Sequence, residues 1–171
     1  MPNRGFTLIE LLVALLVMAT VSGVLVLTVG SGGIESRTRA EAERLRDRLL
    51  FACERAELTG RDLGLLLSAE GYAFAHRRDD LWELEQDRVL AHYPLPEGIV
   101  LGTELAPFEE TLATVPQTLC LASGERSPLA LTLSAGAQNP SYRLRADWNA
   151  SIELDVRQAA TAAWIRWKQQ P

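Results

Sequence analysis

The chain is predicted to be an α+β protein: a long amino-terminal helix, half transmembrane and half amphipathic, packed on a mostly antiparallel β-sheet or sandwich domain. Three observations predict this. Leu11 to Gly30 are twenty uncharged residues in a row. From Ile34 to Thr59 apolar residues recur at steps of three and four, the helical period. From Arg61 onward the chain breaks into short alternating runs split by turn residues, the texture of antiparallel strands.

The apolar run comes first. A helix over Leu11–Gly30, extended by Phe6–Ile9, is roughly 30–36 Å long, enough to cross a bilayer. A secretory signal has a shorter apolar core, so this segment reads as a retained membrane helix. Only two charges occur in the first thirty residues, Arg4 and Glu10. A carboxylate near a bilayer interior costs roughly 2.5–3.5 kcal/mol, so Glu10 among Leu8, Ile9, Leu11 and Leu12 calls for a functional reason.

Gly30, Ser31, Gly32 and Gly33 form an expected joint, after which an amphipathic helix runs to Thr59. Thr38, Ala42, Leu45, Leu49, Ala52, Cys53 and Ala56 make one apolar stripe. Arg37, Arg39, Glu41, Arg44, Asp47, Arg48 and Glu54 fall mostly off it and read as a solvated face. Gly60 is a natural stop.

Strand-like runs follow: DLGLLLS, GYAFAH, LWELE, RVLAHYPL, GIVLGTEL, TLCLAS, PLALTLS, SYRLRAD and ASIELDV. Turns are marked at Ala69-Glu70-Gly71, Arg78-Asp79-Asp80, Pro96-Glu97-Gly98, Ser123-Gly124-Glu125 and Asn139-Pro140. Residues 106–117 read as a long loop or a short helix. The end of the chain, RQAATAAWIRWKQQP, fits either a last helix or a strand around Trp164 to Trp167, with both tryptophans packed on the domain.

The 138 residues from Ile34 onward suffice for one compact domain. A net charge of −5 and a pI near 5.1 argue against nucleic acid as a partner. His76 and His92 are isolated, and no nucleophile-elbow, phosphate-loop or zinc motif accompanies them, so neither an enzyme nor a cofactor is predicted. Asp79 and Asp80 with Asp62 or Asp87 are interleaved with Arg77, Arg78 and Arg88, which opposes a calcium site. No metal site is predicted. Cys53 and Cys120 are a candidate disulfide if the domain lies in an oxidising compartment; two separate buried thiols are the alternative.

The opening RGFTLIELLVALLVMA resembles the type IV prepilin signal: a short basic leader, Gly5, an aromatic Phe6, Glu10 five residues into the mature chain, and unbroken apolar sequence. The resemblance implies that a prepilin peptidase cuts between Gly5 and Phe6 and N-methylates Phe6. It implies residues 1–5 as leader, 6–30 as transmembrane helix, 31–60 as joint and amphipathic helix, and 61–171 as a periplasmic β domain. Glu10 would then serve assembly by pairing with the amine of a neighbouring subunit's Phe6. Five arginines between residues 37 and 48 follow the membrane helix and only Arg4 precedes it. The positive-inside rule alone would therefore keep the domain cytoplasmic; the prepilin resemblance outweighs it and implies an inner-membrane, single-pass protein with its carboxy-terminal domain in the periplasm.

The later stretches "LPEGIVL", "TLCLASGERSPLALTLS" and "SYRLRADWNASIEL", with "TGRDLGLLLSAEGYAFAHRRDDLWEL" before them, resemble the H-type minor pseudopilins of type II secretion systems (GspH-like). The likeness runs to about residue 156 and implies a structural role: helping to export folded periplasmic proteins across the outer membrane. Its partners would be the other pseudopilins, major and minor, the prepilin peptidase and the inner membrane. Ala150 departs from the family's usual glycine at the closing turn. FimT/FimU-like minor pilins of type IV pili share the architecture and are the alternative, with motility, adhesion or DNA uptake as the role.

Overall fold

The computed structural model describes residues 8–103, 115–148, 151–161 and 163–167, with the backbone alone for 19–32. The chain divides into two compact units, Met1–Ile34 and Glu35–Pro171. α1 (Leu8–Thr59) is helical along its whole length, including Gly30–Gly33, where a joint is expected from the sequence. Glycine inside a helix costs roughly 1 kcal/mol relative to alanine, so these residues weaken the helix without ending it. The boundary between the units falls just after them, at Ile34 and Glu35.

In the first unit every described side chain from Leu8 to Met18 is exposed. In the second, Thr38, Ala42, Leu45, Leu49, Ala52, Cys53 and Ala56 are all buried, so the stripe read from the sequence is the packed face. The helix stops as its sequence directs. Gly60 takes a φ of 65°, and the Arg61 N–H donates to the Ala56 carbonyl at 3.2 Å, closing the last turn.

Among the described residues ten strands follow: β1 (Leu63–Leu67), β2 (Gly71–Arg78), β3 (Leu81–Leu84), β4 (Tyr93–Pro94), β5 (Val100–Thr103), β6 (Thr118–Cys120), β7 (Leu129–Ser134), β8 (Ser141–Ala146), β9 (Glu153–Arg157) and β10 (Ile165–Arg166). They form two sheets, each wholly antiparallel. The first has the order β3-β2-β1-β6, with β4 also on β2; the second has the order β10-β9-β8-β7-β5.

In the first sheet Leu63 pairs with Cys120, Leu65 with Phe74 and Leu67 with Tyr72. Partners across an antiparallel pair point to the same side, so these six form one buried face, and Tyr72 and Cys120 reach α1 from it. In the second sheet Leu131, Leu144 and Leu154 form one buried row, and Leu133, Tyr142 and Val156 the next. Here too the helix is met, because the Trp167 indole N–H donates to Glu43. α1 is the element the two sheets share.

The β2–β3 hairpin turns on Asp79 and Asp80, both at positive φ (46° and 67°), as a two-residue turn between right-twisted strands requires. RVLAHYPL is not one strand. The Asp87 carboxylate accepts the Val89 and Leu90 N–H groups at 2.8 Å, and Ala91 N–H donates to the Asp87 carbonyl. The capping aspartate winds Arg88–Ala91 into a single helical turn and leaves only Tyr93–Pro94 extended. At the chain's end the strand reading holds over the helix. Trp164 lies on one side of β10 under Arg143 and Arg157, and Trp167 on the other against Tyr142. Residues 106–114 and Ala150 lie outside the described residues.

Candidate functional site

The sequence points to three residues at the head of the chain, Gly5, Phe6 and Glu10. Gly5 and Phe6 lie outside the described residues. Glu10 lies in the first turn of α1 and is exposed. A carboxylate is favoured there by the unsatisfied N–H groups of the helix start. Its neighbours are the unusual part. Leu8 is 84 % exposed, Ile9 71 % and Met18 67 %, and Leu11, Leu12, Leu15 and Leu16 are all more than half exposed. Such an all-round apolar helix is stable only when lipid or other helices cover it. Among the described residues no helix is long and apolar enough to cross a membrane; the described side chains of this run end at Met18.

The charged groups of the globular unit do local structural work. Asp62 accepts the Ala122 N–H at 2.9 Å, Asp80 pairs with Arg77 at 2.6 Å, and Asp87 caps its turn while pairing with Arg55 on α1. Partial burial alone would raise the Asp87 carboxyl. The Leu90 and Val89 N–H donors and the Arg55 guanidinium outweigh it and hold the group below its ordinary 3.8. Asp62, Asp80 and Asp87 thus have separate tasks, and Asp79 forms the β2–β3 turn. His76 lies on β2 with Glu85 3.0 Å from Nδ1 and Glu83 3.4 Å from Nε2, while His92 is exposed. Cys53 of α1 and Cys120 of β6 are joined as a disulfide, with Cα atoms 4.8 Å apart.

One polar cluster escapes a reading by residue type. Glu41, expected on the solvated face, is 1 % exposed. It accepts hydrogen bonds from Tyr72 Oη (3.2 Å), Tyr93 Oη (3.3 Å) and Arg44 (2.7 Å), and Arg44 also donates to Tyr93. Arg48 lies 4.7 Å from the Tyr93 ring and 5.5 Å from that of Tyr72. Burial, then the Glu41 charge, raise the Tyr72 hydroxyl far above the ordinary tyrosine value. Thr38, Glu41, Leu45, Arg48 and Ala52 themselves follow helical spacing, so position rather than chemistry was the signal that Glu41 faces inward. Tyr142 on β8 is also raised, by burial first and then by Glu35 of α1.

The amino terminus matches the family model for the prokaryotic N-terminal methylation motif over residues 1–26. Type II secretion system protein H of Pseudomonas aeruginosa is 31 % identical over 158 residues, covering 85 % of this chain and 91 % of its own. The protein of the same name from Aeromonas hydrophila is 29 % identical over 156 residues, covering 82 % and 85 %. The structure of the minor pseudopilin EpsH from the type 2 secretion system of Vibrio cholerae is similar with a TM-score of 0.60 at 26 % identity, over 73 % of this chain and 99 % of that one.

Proposed function

The chain belongs to the type II secretion system protein H family, and from that premise we propose that it is a minor pseudopilin, a subunit of the type II secretion pseudopilus that helps export folded periplasmic proteins across the outer membrane. The observation that carries the reading is the head of α1: a single carboxylate, Glu10, on a helix whose other described side chains through Met18 are uncharged and exposed.

In this reading residues 1–5 are the leader, and prepilin peptidase hydrolyses the Gly5–Phe6 bond at the cytoplasmic face. A glycine there lets the peptidase approach the backbone closely. The new Phe6 amine is then methylated and keeps its positive charge. Residues 6–30 hold the subunit in the inner membrane, 31–60 carry the helix onto the domain, and 61–171 stand in the periplasm. The Cys53–Cys120 bond suits that oxidising compartment, which favours the periplasmic side over the one the arginines 37–48 would choose. As subunits assemble, Glu10 meets the Phe6 amine of a neighbour. In a low-dielectric bundle a carboxylate and an amine are tolerated together and costly apart, so the pair fixes the register at which each subunit joins. The role is structural, without a catalytic step.

Mass spectrometry of membrane-extracted protein tests the processing: the amino terminus should be N-methylated Phe6. An intact Met1, or cleavage near Ala19, would overturn it. Deleting the gene should abolish export of secreted proteins and leave twitching motility intact; the reverse outcome would favour the type IV pilus alternative.

A further inference from the structure

The outward face of the second sheet is a ladder of charges, and nearly all of it is matched. Across β8 and β9, Arg143 stands opposite Asp155 and Arg145 opposite Glu153. Arg143 meets Asp155 at 3.0 Å, Arg145 meets Glu153 at 3.1 Å, and Arg166 of β10 also reaches Glu153. The next rung breaks the pattern. Arg157 stands opposite Ser141, and among the described residues it forms no ion pair. Its guanidinium is held 4.9 Å from the Trp164 ring, which Arg143 covers at 4.4 Å. A guanidinium stacked on an aromatic face keeps its N–H edge free for an acceptor in its own plane.

That arginine lines a surface pocket of about 380 Å³ between the β7–β8 and β9–β10 connections, together with Asn139, Ser141, Gln158 and Thr161. The volume is at the small end of ligand sites, which run from about 300 to 1,000 Å³. Two of its polar side chains are spent within the fold: the Asn139 amide donates to the Ala135 carbonyl, and the Thr161 hydroxyl to the Gln158 carbonyl. The Ser141 hydroxyl and the Gln158 amide form no hydrogen bond among the described residues, which leaves them as donors beside the unpaired cation.

We propose that this pocket docks an acidic peptide segment of another protein by taking one Asp or Glu side chain onto Arg157, with Ser141 and Gln158 as supporting donors. A single carboxylate is the fitting charge. Arg157 is the one charged side chain lining the pocket and balances one negative charge, and a planar guanidinium matches a carboxylate edge on. The chain's net charge of −5 disfavours a polyanion. The inference stands apart from the secretion role: it holds or fails on Arg157 alone.

The test uses the full chain in detergent micelles and NMR titration, read at the Trp164 indole N–H and the Arg157 Nε–H. The probes are acetyl-Ala-Gly-Glu-Gly-Ala-amide, its Gln counterpart and sodium acetate. The Glu peptide is expected to bind about tenfold or more tighter than the Gln peptide, as hydrogen bonds to charged groups are stronger than neutral ones. Arg157→Gln should weaken it by at least about tenfold, and Arg145→Gln, a paired arginine outside the pocket, should leave it unchanged. Ser141→Ala gives a second, milder variant that removes one donor and should weaken the Glu peptide by about threefold or more. Equal binding of the two peptides, equal loss in the Arg157 and Arg145 variants, or acetate binding as tightly as the Glu peptide would each overturn the proposal.

Discussion

Glu10 and Glu41 are two carboxylates on one helix, each among apolar neighbours, and they are handled in opposite ways. Glu41 is buried and the fold itself surrounds it with two tyrosine hydroxyls and an arginine. Glu10 is exposed in the first turn of the helix, among apolar side chains that are exposed as well, and in the proposed reading its working partner is a neighbouring subunit. The comparison separates two kinds of charge. Changing Glu41 should damage the folded domain, whereas changing Glu10 should damage only what the domain does in company.

The largest effect is expected at the head. Glu10→Gln should insert and be processed normally, yet crosslink poorly to other pseudopilins and lose secretion. Glu10→Asp sharpens this, since it keeps the charge and shortens the reach by one methylene. Normal secretion by both variants would mean that Glu10 merely reaches to the headgroups, and failure of the Gln variant to insert would refute the assembly role.

Within the globular unit the order runs from covalent to polar. Reduction of Cys53–Cys120, or replacement of both cysteines by serine, should cost about 4 kcal/mol, the loop-closure value for a separation of 67 residues. Urea unfolding with and without reductant measures it. Glu41→Ala should cost about 3 kcal/mol, because it leaves Tyr72 and Tyr93 without their acceptor and Arg44 without its carboxylate. Crosslinking of the surviving folded protein should be unchanged; a loss of crosslinking without a loss of stability would erase the contrast with Glu10.

The smallest effect concerns Asp87. Asp87→Ala should cost about 1 kcal/mol, the worth of a cap and a partly exposed ion pair. Because folding lowers the Asp87 pKa from 3.8, its contribution is complete above that value and is lost as pH falls through the lower folded one. The stability gap between wild type and variant, measured by urea unfolding from pH 7 downward, should therefore be constant above about pH 5 and shrink below pH 4. A gap that grows on acidification would mean that the ion pair does not hold the turn.

Much of this was legible from spacing. The buried stripe from Thr38 to Ala56 follows from helical periodicity, and the strands β7 and β9 from the alternation of Leu129, Leu131 and Leu133 and of Leu154 with Val156. What resisted was decided by contacts distant in sequence. Glu41 reads as solvated in the sequence because its hydrogen-bond donors Tyr72 and Tyr93 are 31 and 52 residues away. Val89 and Leu90 looked extended because the weight of one capping aspartate is hard to judge inside an apolar run. Trp164 and Trp167 would share a face on a helix and take opposite faces on a strand, and only the pairing of β10 with β9 decides between them. At the head, Glu10 stands out because the uncharged run from Leu11 to Gly30 follows it, and its assembly role is what the Glu10 variants test.

The bond between Glu43 and Trp167 joins residues 124 apart, and the disulfide partners are 67 apart. Contacts this distant make folding slow, since a long loop must close before its contacts repay the lost entropy. They also fix an order in time. As the chain emerges from its amino terminus, the inner face of the helix must wait for Cys120 and then for Trp167 before it is covered on both sides. The inner face of the helix is thus completed only when β10, the last described strand, has paired with β9.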